Sequence, residues 1–140
     1  GGLWKIMPVY GTVMLVVTLS SMGLPGLNGF VGEFTILLGA FGSEAIGSAW
    51  YAGISAIGVI LAAIYMLYMY QKIFLGPEGS IVQTVKDKGH PLRDLSVREL
   101  VTIVPLLVFI FWIGLYPKPF FALIAPTVDN LVKVLQAAMG

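Results

Sequence analysis

The sequence predicts an all-α, polytopic membrane protein: a helical-bundle fragment in which one transmembrane helix is discontinuous. Three observations carry that prediction. Of the 140 residues, 58% are apolar and only 11% charged, with a mean hydropathy of +0.93, whereas soluble domains carry about 25% charged residues. Two apolar runs, Ala49 to Phe74 and about Val97 to Tyr116, reach the roughly 20 residues that a bilayer helix needs at about 1.5 Å per residue. A third run, Met7 to Gly42, is interrupted by Gly23-Leu24-Pro25-Gly26-Leu27-Asn28-Gly29, whose glycines and proline disfavour a continuous helix.

The same composition excludes several function classes. A net charge of +1 without a basic stripe leaves nothing to neutralise phosphates, so nucleic acid is not a partner. With no cysteine there is no disulfide framework, no Cys-ligated iron–sulfur cluster and no thiolate nucleophile. The opening Gly1-Gly2-Leu3-Trp4-Lys5 lacks the basic region, short apolar stretch and cleavage site of a signal peptide. Its direct entry into an apolar run without an initiator Met predicts the tail of a longer protein.

Along the chain, the first run is the ambiguous element, because its roughly 36 residues are too many for one straight span and few for two. Charge asymmetry favours one crossing. A single crossing places Lys5, Lys72, Lys86, Lys88, Arg93 and Arg98 on one side and Lys118 and Lys133 on the other; a double crossing moves Lys5 across and weakens the positive-inside bias. The reading is therefore one broken helix over about 7–42, entered from the cytoplasm. Non-helical backbone at membrane depth survives only when packed in protein or lining a wet cavity, and Thr18, Ser20, Ser21 and Asn28 are placed to supply replacement hydrogen bonds. A span over about 49–74 follows. The segment over about 76–95, with Pro77, Gly79, Gly89 and Pro91 among mixed charges, reads as a solvated cytoplasmic loop. Ser96-Val97-Arg98-Glu99 reads as a capping box opening a span over about 97–116, which Pro105 should only kink. Beyond Tyr116-Pro117-Lys118-Pro119 the chain is expected to be extended. Pro126 suits the first turn of a final amphipathic helix over about 126–138, lying on the outer surface or against a neighbour.

Glu33 is the ionisable residue inside an apolar run, about one turn beyond the break. An intramembrane acid costs free energy and tends to face a bundle interior and mark an ion path, so Glu33 is the candidate proton carrier; the competing reading seats it among headgroups as a neutralised structural residue. Gly23, Pro25, Gly26, Asn28 and Gly29 form either a hinge that hydrates Glu33 or a plain turn between two spans. The string lacks the spacing of a phosphate loop. Lys72, near the end of its span, snorkels to the interface or faces an internal polar path for protons. His90, with no second His and no Cys, makes no metal site; it reads as a solvated loop residue, with a relay role as the sharper alternative. No Ser/His/Asp set or paired carboxylates point to hydrolysis. Trp4, Trp50, Trp112, Tyr51, Tyr70 and Tyr116 read as interfacial anchors. Ala49/Gly53 and Gly58/Ala62 read as close-packing pairs.

Five strings carry a resemblance: Gly1-Gly2-Leu3-Trp4; Ser21-Met22-Gly23-Leu24-Pro25-Gly26-Leu27-Asn28-Gly29-Phe30-Val31-Gly32-Glu33-Phe34; Tyr70-Gln71-Lys72-Ile73-Phe74-Leu75-Gly76; Leu95-Ser96-Val97-Arg98-Glu99; and Ile113-Gly114-Leu115-Tyr116-Pro117. Together they cover nearly the whole chain, which resembles the C-terminal part of the antiporter-like subunits of proton-pumping NADH:quinone oxidoreductase (respiratory complex I), subunit M or chain 4 above its siblings. The resemblance implies a fourteen-helix parent whose twelfth helix is discontinuous, with Glu33 on that helix near the periplasmic end of a proton half-channel. It implies other complex I membrane subunits as partners, a bacterial inner-membrane location with the C-terminus periplasmic, and further relay residues, a Glu and two Lys, on chain outside this fragment. NADH, FMN, iron–sulfur clusters and quinone are expected in partner subunits, with no cofactor and no metal held here. Rival readings are a subunit of a multi-subunit cation/proton antiporter or membrane-bound hydrogenase, and a non-transporting structural subunit.

Overall fold

The computed structural model describes residues 1–43, 49–89 and 92–139, and among them every regular element is helical. A 3-10 turn at Leu3–Lys5 leads into α1 (Pro8–Ser21). Then come α2 (Asn28–Phe41), α3 (Ala49–Phe74), α4 (Ser80–Asp87), α5 (Val97–Leu115) and α6 (Lys118–Met139). By length and hydropathy α3, α5 and Lys118–Ala138 are each able to cross a membrane, while α1 and α2 are shorter apolar helices.

The two short helices run in series, antiparallel to α3. At one end, the Gly2 amide donates to the Leu75 carbonyl at 3.2 Å, the Tyr70 hydroxyl donates to the Gly11 carbonyl at 3.1 Å, and the Tyr10 and Phe74 rings lie 5.6 Å apart. The start of α1 is thus tied to the end of α3. At the other end, the stretch from Ser43 to Ala49 reaches at most about 22 Å, against the ~39 Å length of a 26-residue helix. The end of α2 therefore belongs with the start of α3, against which α2 packs. This is the geometry of one discontinuous crossing.

α5 starts beside α1. Ser96 caps it by accepting from the Glu99 amide at 3.4 Å, while the Glu99 carboxylate accepts from the Ser96 amide at 2.7 Å, the reciprocal pair that Ser96 and Glu99 predict. Pro105 is accommodated inside it. Its far end meets the break: a methyl group on Gly114 would overlap the Gly26 carbonyl and the Leu27 backbone.

Three expectations are corrected. The segment over about 76–95 is not all loop, because Ser80–Asp87 is helical. Val82 is buried there, Lys86 binds Glu78 at 2.7 Å, and that cation in the last turn favours the helix dipole. The helix expected over about 126–138 begins instead at Lys118. Pro119 occupies its first turn, where a missing N–H costs nothing, and the Phe120 and Phe121 amides donate to the Pro117 carbonyl at 3.0 and 3.1 Å. Pro126 lies inside the helix, forfeiting one hydrogen bond rather than starting a new element. Tyr70, expected as an interfacial anchor, is buried and stacks on Phe74 at 4.8 Å, with Trp4 packed edge-on at 6.5 Å. His90 lies outside the described residues.

Candidate functional site

The break between α1 and α2 is built mainly from backbone hydrogen bonds. α1 ends in a Schellman motif: Gly23 takes φ +73°, its amide donates to the Ser20 carbonyl, and the Leu24 amide donates to the Leu19 carbonyl, each at 3.1 Å. Leu24 to Leu27 then form a type II turn. Pro25 supplies the fixed φ, Gly26 the φ of +94°, and the Leu27 amide returns to the Leu24 carbonyl at 3.1 Å. These residues satisfy locally the amides that a broken helix would otherwise leave bare in hydrocarbon.

Two contacts fasten α2 across the gap. The Ser20 hydroxyl donates to Asn28 Oδ1, and a methyl on Gly29 would overlap the Ser20 carbonyl. Of the groups named from sequence as replacement hydrogen-bonders, Ser20 and Asn28 bond each other. The Thr18 hydroxyl is buried without a partner.

Glu33 lies in the second turn of α2 and is half-buried. Helical side chains lean toward the helix N-terminus, and that lean carries its carboxylate back onto the break. A methyl on Gly23 would overlap Glu33 Oε2. The left-handed glycine therefore does two jobs, ending α1 and making room for the acid. Among the described residues, the carboxylate has no hydrogen-bond or ionic partner. The first amides of α2 are uncapped by any side chain, so the positive end of its dipole faces the same gap. An open cleft of about 350 Å³, lined by Asn28, Val31, Thr35, Ile113, Phe120 and Ile124, runs alongside between α2, the end of α5 and the start of α6.

Lys72 is not part of this site. It is exposed near the end of α3, its ammonium 5.3 Å from the centroid of the Tyr68 ring, at the end of the molecule where α1 begins. The length of α1, ~21 Å for 14 residues, separates that end from the break.

Two contributors escape a reading of the sequence alone. Asp94 Oδ2 accepts from the Val9 amide at 2.8 Å and Oδ1 from the Tyr10 amide at 2.9 Å, with the Leu95 amide also at 2.8 Å. A side chain more than eighty residues away thus caps α1, whose own Met7 supplies no cap. Desolvation pushes the Asp94 carboxyl up, but the three amides outweigh it and hold the group below its ordinary value. Gly114 is the other, admitting α5 to the break. The adjacency of Asp94 to the capping box was a local hint; nothing in the pattern singled out Gly114.

The chain has no cysteine, and among the described residues no group of three or more His, Asp or Glu side chains converges.

The family described as "NADH:quinone oxidoreductase/Mrp antiporter, TM" matches residues 1–64. Curated relatives include the NADH-ubiquinone oxidoreductase chain 4 of Arabidopsis thaliana, 38% identical over 95% of this chain and 25% of that protein. The NADH-quinone oxidoreductase subunit M of Rhodobacter capsulatus is 36% identical over 100% of this chain and 25% of that protein. A solved structure of respiratory complex I from Thermus thermophilus with bound NADH contains a chain of similar fold. The TM-score is 0.78 at 30% identity, covering 96% of this chain and 26% of that one. The chain thus spans about a quarter of the length of the relatives it matches.

Proposed function

The chain belongs to the antiporter-like membrane family of NADH:quinone oxidoreductase subunit M and chain 4, and on that premise we propose that it forms part of a proton-translocating subunit in which Glu33 carries the proton. One observation supports the role above the others: the Glu33 carboxylate is seated against the glycine that breaks the membrane crossing. Protonated, the acid is neutral and tolerable at membrane depth. Ionised, it needs water or dipoles, and the uncapped amides of α2 offer the dipoles. Gly23, Pro25, Gly26, Asn28 and Gly29 hold the gap that lets Glu33 exchange its proton with water on the outer side.

In this reading the protein sits in the bacterial inner membrane among other complex I membrane subunits. The fragment's N-terminus is cytoplasmic and its C-terminus periplasmic. Electrons pass from NADH to quinone through FMN and iron–sulfur clusters in partner subunits, no redox step occurs in this chain, and coupling is conformational and electrostatic. Lys72 stays outside the proton route, on its separation from Glu33. A cation/proton antiporter subunit is the nearest rival, since the family description spans both; the named relatives favour the oxidoreductase.

The test is made in the full-length subunit within its assembled complex, reconstituted in vesicles. Glu33→Ala should abolish or strongly reduce proton pumping driven by NADH oxidation, and Glu33→Asp should keep part of it. Wild-type pumping in the Ala variant refutes the role, as a purely structural subunit would predict.

A further inference from the structure

Thr18 departs from the habit of four of the other five helical threonines, and the fifth, Thr127, is exposed. Thr12, Thr35, Thr84 and Thr102 each donate their hydroxyl to the carbonyl four residues back, at 2.6 to 3.1 Å, the usual way a threonine hides its hydroxyl in a helix. The equivalent acceptor for Thr18 is the Met14 carbonyl, and Thr18 does not use it. Its Oγ1 is buried with no partner, and the residue is only 2% exposed. Because this chain alone already covers Thr18, no side chain from the remainder of a larger assembly has room to approach it. What can satisfy the hydroxyl must be small. A buried hydroxyl left bare costs free energy comparable to a lost hydrogen bond, and ordered water is the ordinary remedy.

Its position gives such a water a use. Thr18 precedes Gly23, the glycine that receives the Glu33 carboxylate, by five residues, or about 7.5 Å along a helix axis. One or two waters span that gap at about 2.8 Å per hydrogen bond. Towards the other end of α1, Thr18 lies two turns beyond Gly11, which accepts from Tyr70 of α3. It thus stands on the α3-facing side of the crossing. Resting on Glu33 as the proton carrier, we infer that Thr18 binds a water inside the crossing and continues the hydrogen-bonded route from Glu33 into the α1 half of the membrane. Thr18 is a positioning residue in this scheme: it holds the water and does not itself change protonation.

The experiment uses the full-length subunit in the assembled complex. Thr18→Val keeps the shape and removes the hydroxyl, and Thr18→Ser keeps the hydroxyl. The Val variant should slow proton pumping driven by NADH oxidation by roughly two- to tenfold, the scale of one hydrogen bond, and the Ser variant should restore it. A merely structural Thr18 predicts the opposite, since deleting an unsatisfied hydroxyl leaves assembly and pumping unchanged or improved. Wild-type pumping in Thr18→Val, alongside lost pumping in Glu33→Ala, overturns this inference and spares the role of Glu33. Wild-type pumping in both overturns the two together. If Thr18→Val fails to assemble, a high-resolution map of the wild-type complex decides. Water density within hydrogen-bond distance of Thr18 Oγ1 supports the inference, and a hydroxyl rotated onto the Met14 carbonyl ends it.

Discussion

The two halves of the broken crossing are equal in length and unlike in how they are held. α1 buries Gly11, Val13, Thr18 and Ser20. Asp94 caps it from a distant loop, Tyr70 grips its second turn, and Trp4 and Phe74 lie against Gly11. α2 buries none of its residues and has no side-chain cap. It exposes Phe34, Ile36, Leu38 and Phe41 and carries the ionisable group. One half is anchored within this chain. The other is fastened to it at its first turn, through Asn28 and Gly29, and along its length by α3 and α5. The difference teaches where the acid can work: the Glu33 carboxylate sits on the less enclosed half but reaches back to the fixed end of the other, so its position is set by the turn more than by its own helix.

That contrast can be broken most severely at the fastening point. Gly29→Val forces a branched side chain into the Ser20 carbonyl, so the halves must part, at a cost of about 3 kcal/mol or more. Assembled complex, followed by native electrophoresis, should fall sharply. Asp94→Ala should have a smaller effect, confined to the anchored half: a lowering of a few degrees in the unfolding temperature of the purified complex. The folded Asp94 carboxyl titrates below its ordinary value. Its contribution is therefore complete above the unfolded aspartate range and is lost as pH falls through the lower folded value, so the Ala variant and the wild type should converge in stability at strongly acidic pH. Tyr70→Phe is the mildest probe. It removes only the 3.1 Å bond to Gly11, about 1 kcal/mol, and should leave pumping intact; a large loss of pumping there would mean that the tie between α1 and α3 is itself needed for proton transfer.

Much of this contrast was legible in the residues. The apolar runs, the capping box at Ser96 and Glu99, the break and the lone acid beside it all follow from patterns local to a few turns. What lay beyond the sequence depended on contacts between distant segments. Asp94 looks like any loop carboxylate until the fold brings Val9 and Tyr10 to it. Tyr70 looks like an interfacial ring until α1 covers it. Gly53 and Gly58, read as close-packing positions, have open space around them in this chain, whereas Gly11, Gly29 and Gly114 meet neighbours closely. Small residues advertise an approach without saying which one is used. Pro126 misled for a related reason: a proline favours a first turn, yet a helix already begun at Lys118, with Pro119 in its first turn, tolerates a second proline at the loss of one bond.

α5 has two fixed points on the crossing beside it. Its leading end is joined to the first turn of α1 through Asp94, and its trailing end is keyed by Gly114 into the Pro25-Gly26 turn. A rod pinned in two places cannot slide lengthwise past its neighbour without straining one pin. Any tilt imposed on it by a subunit docked at its exposed face would be delivered as a sideways push on the turn, within reach of the carboxylate folded against Gly23.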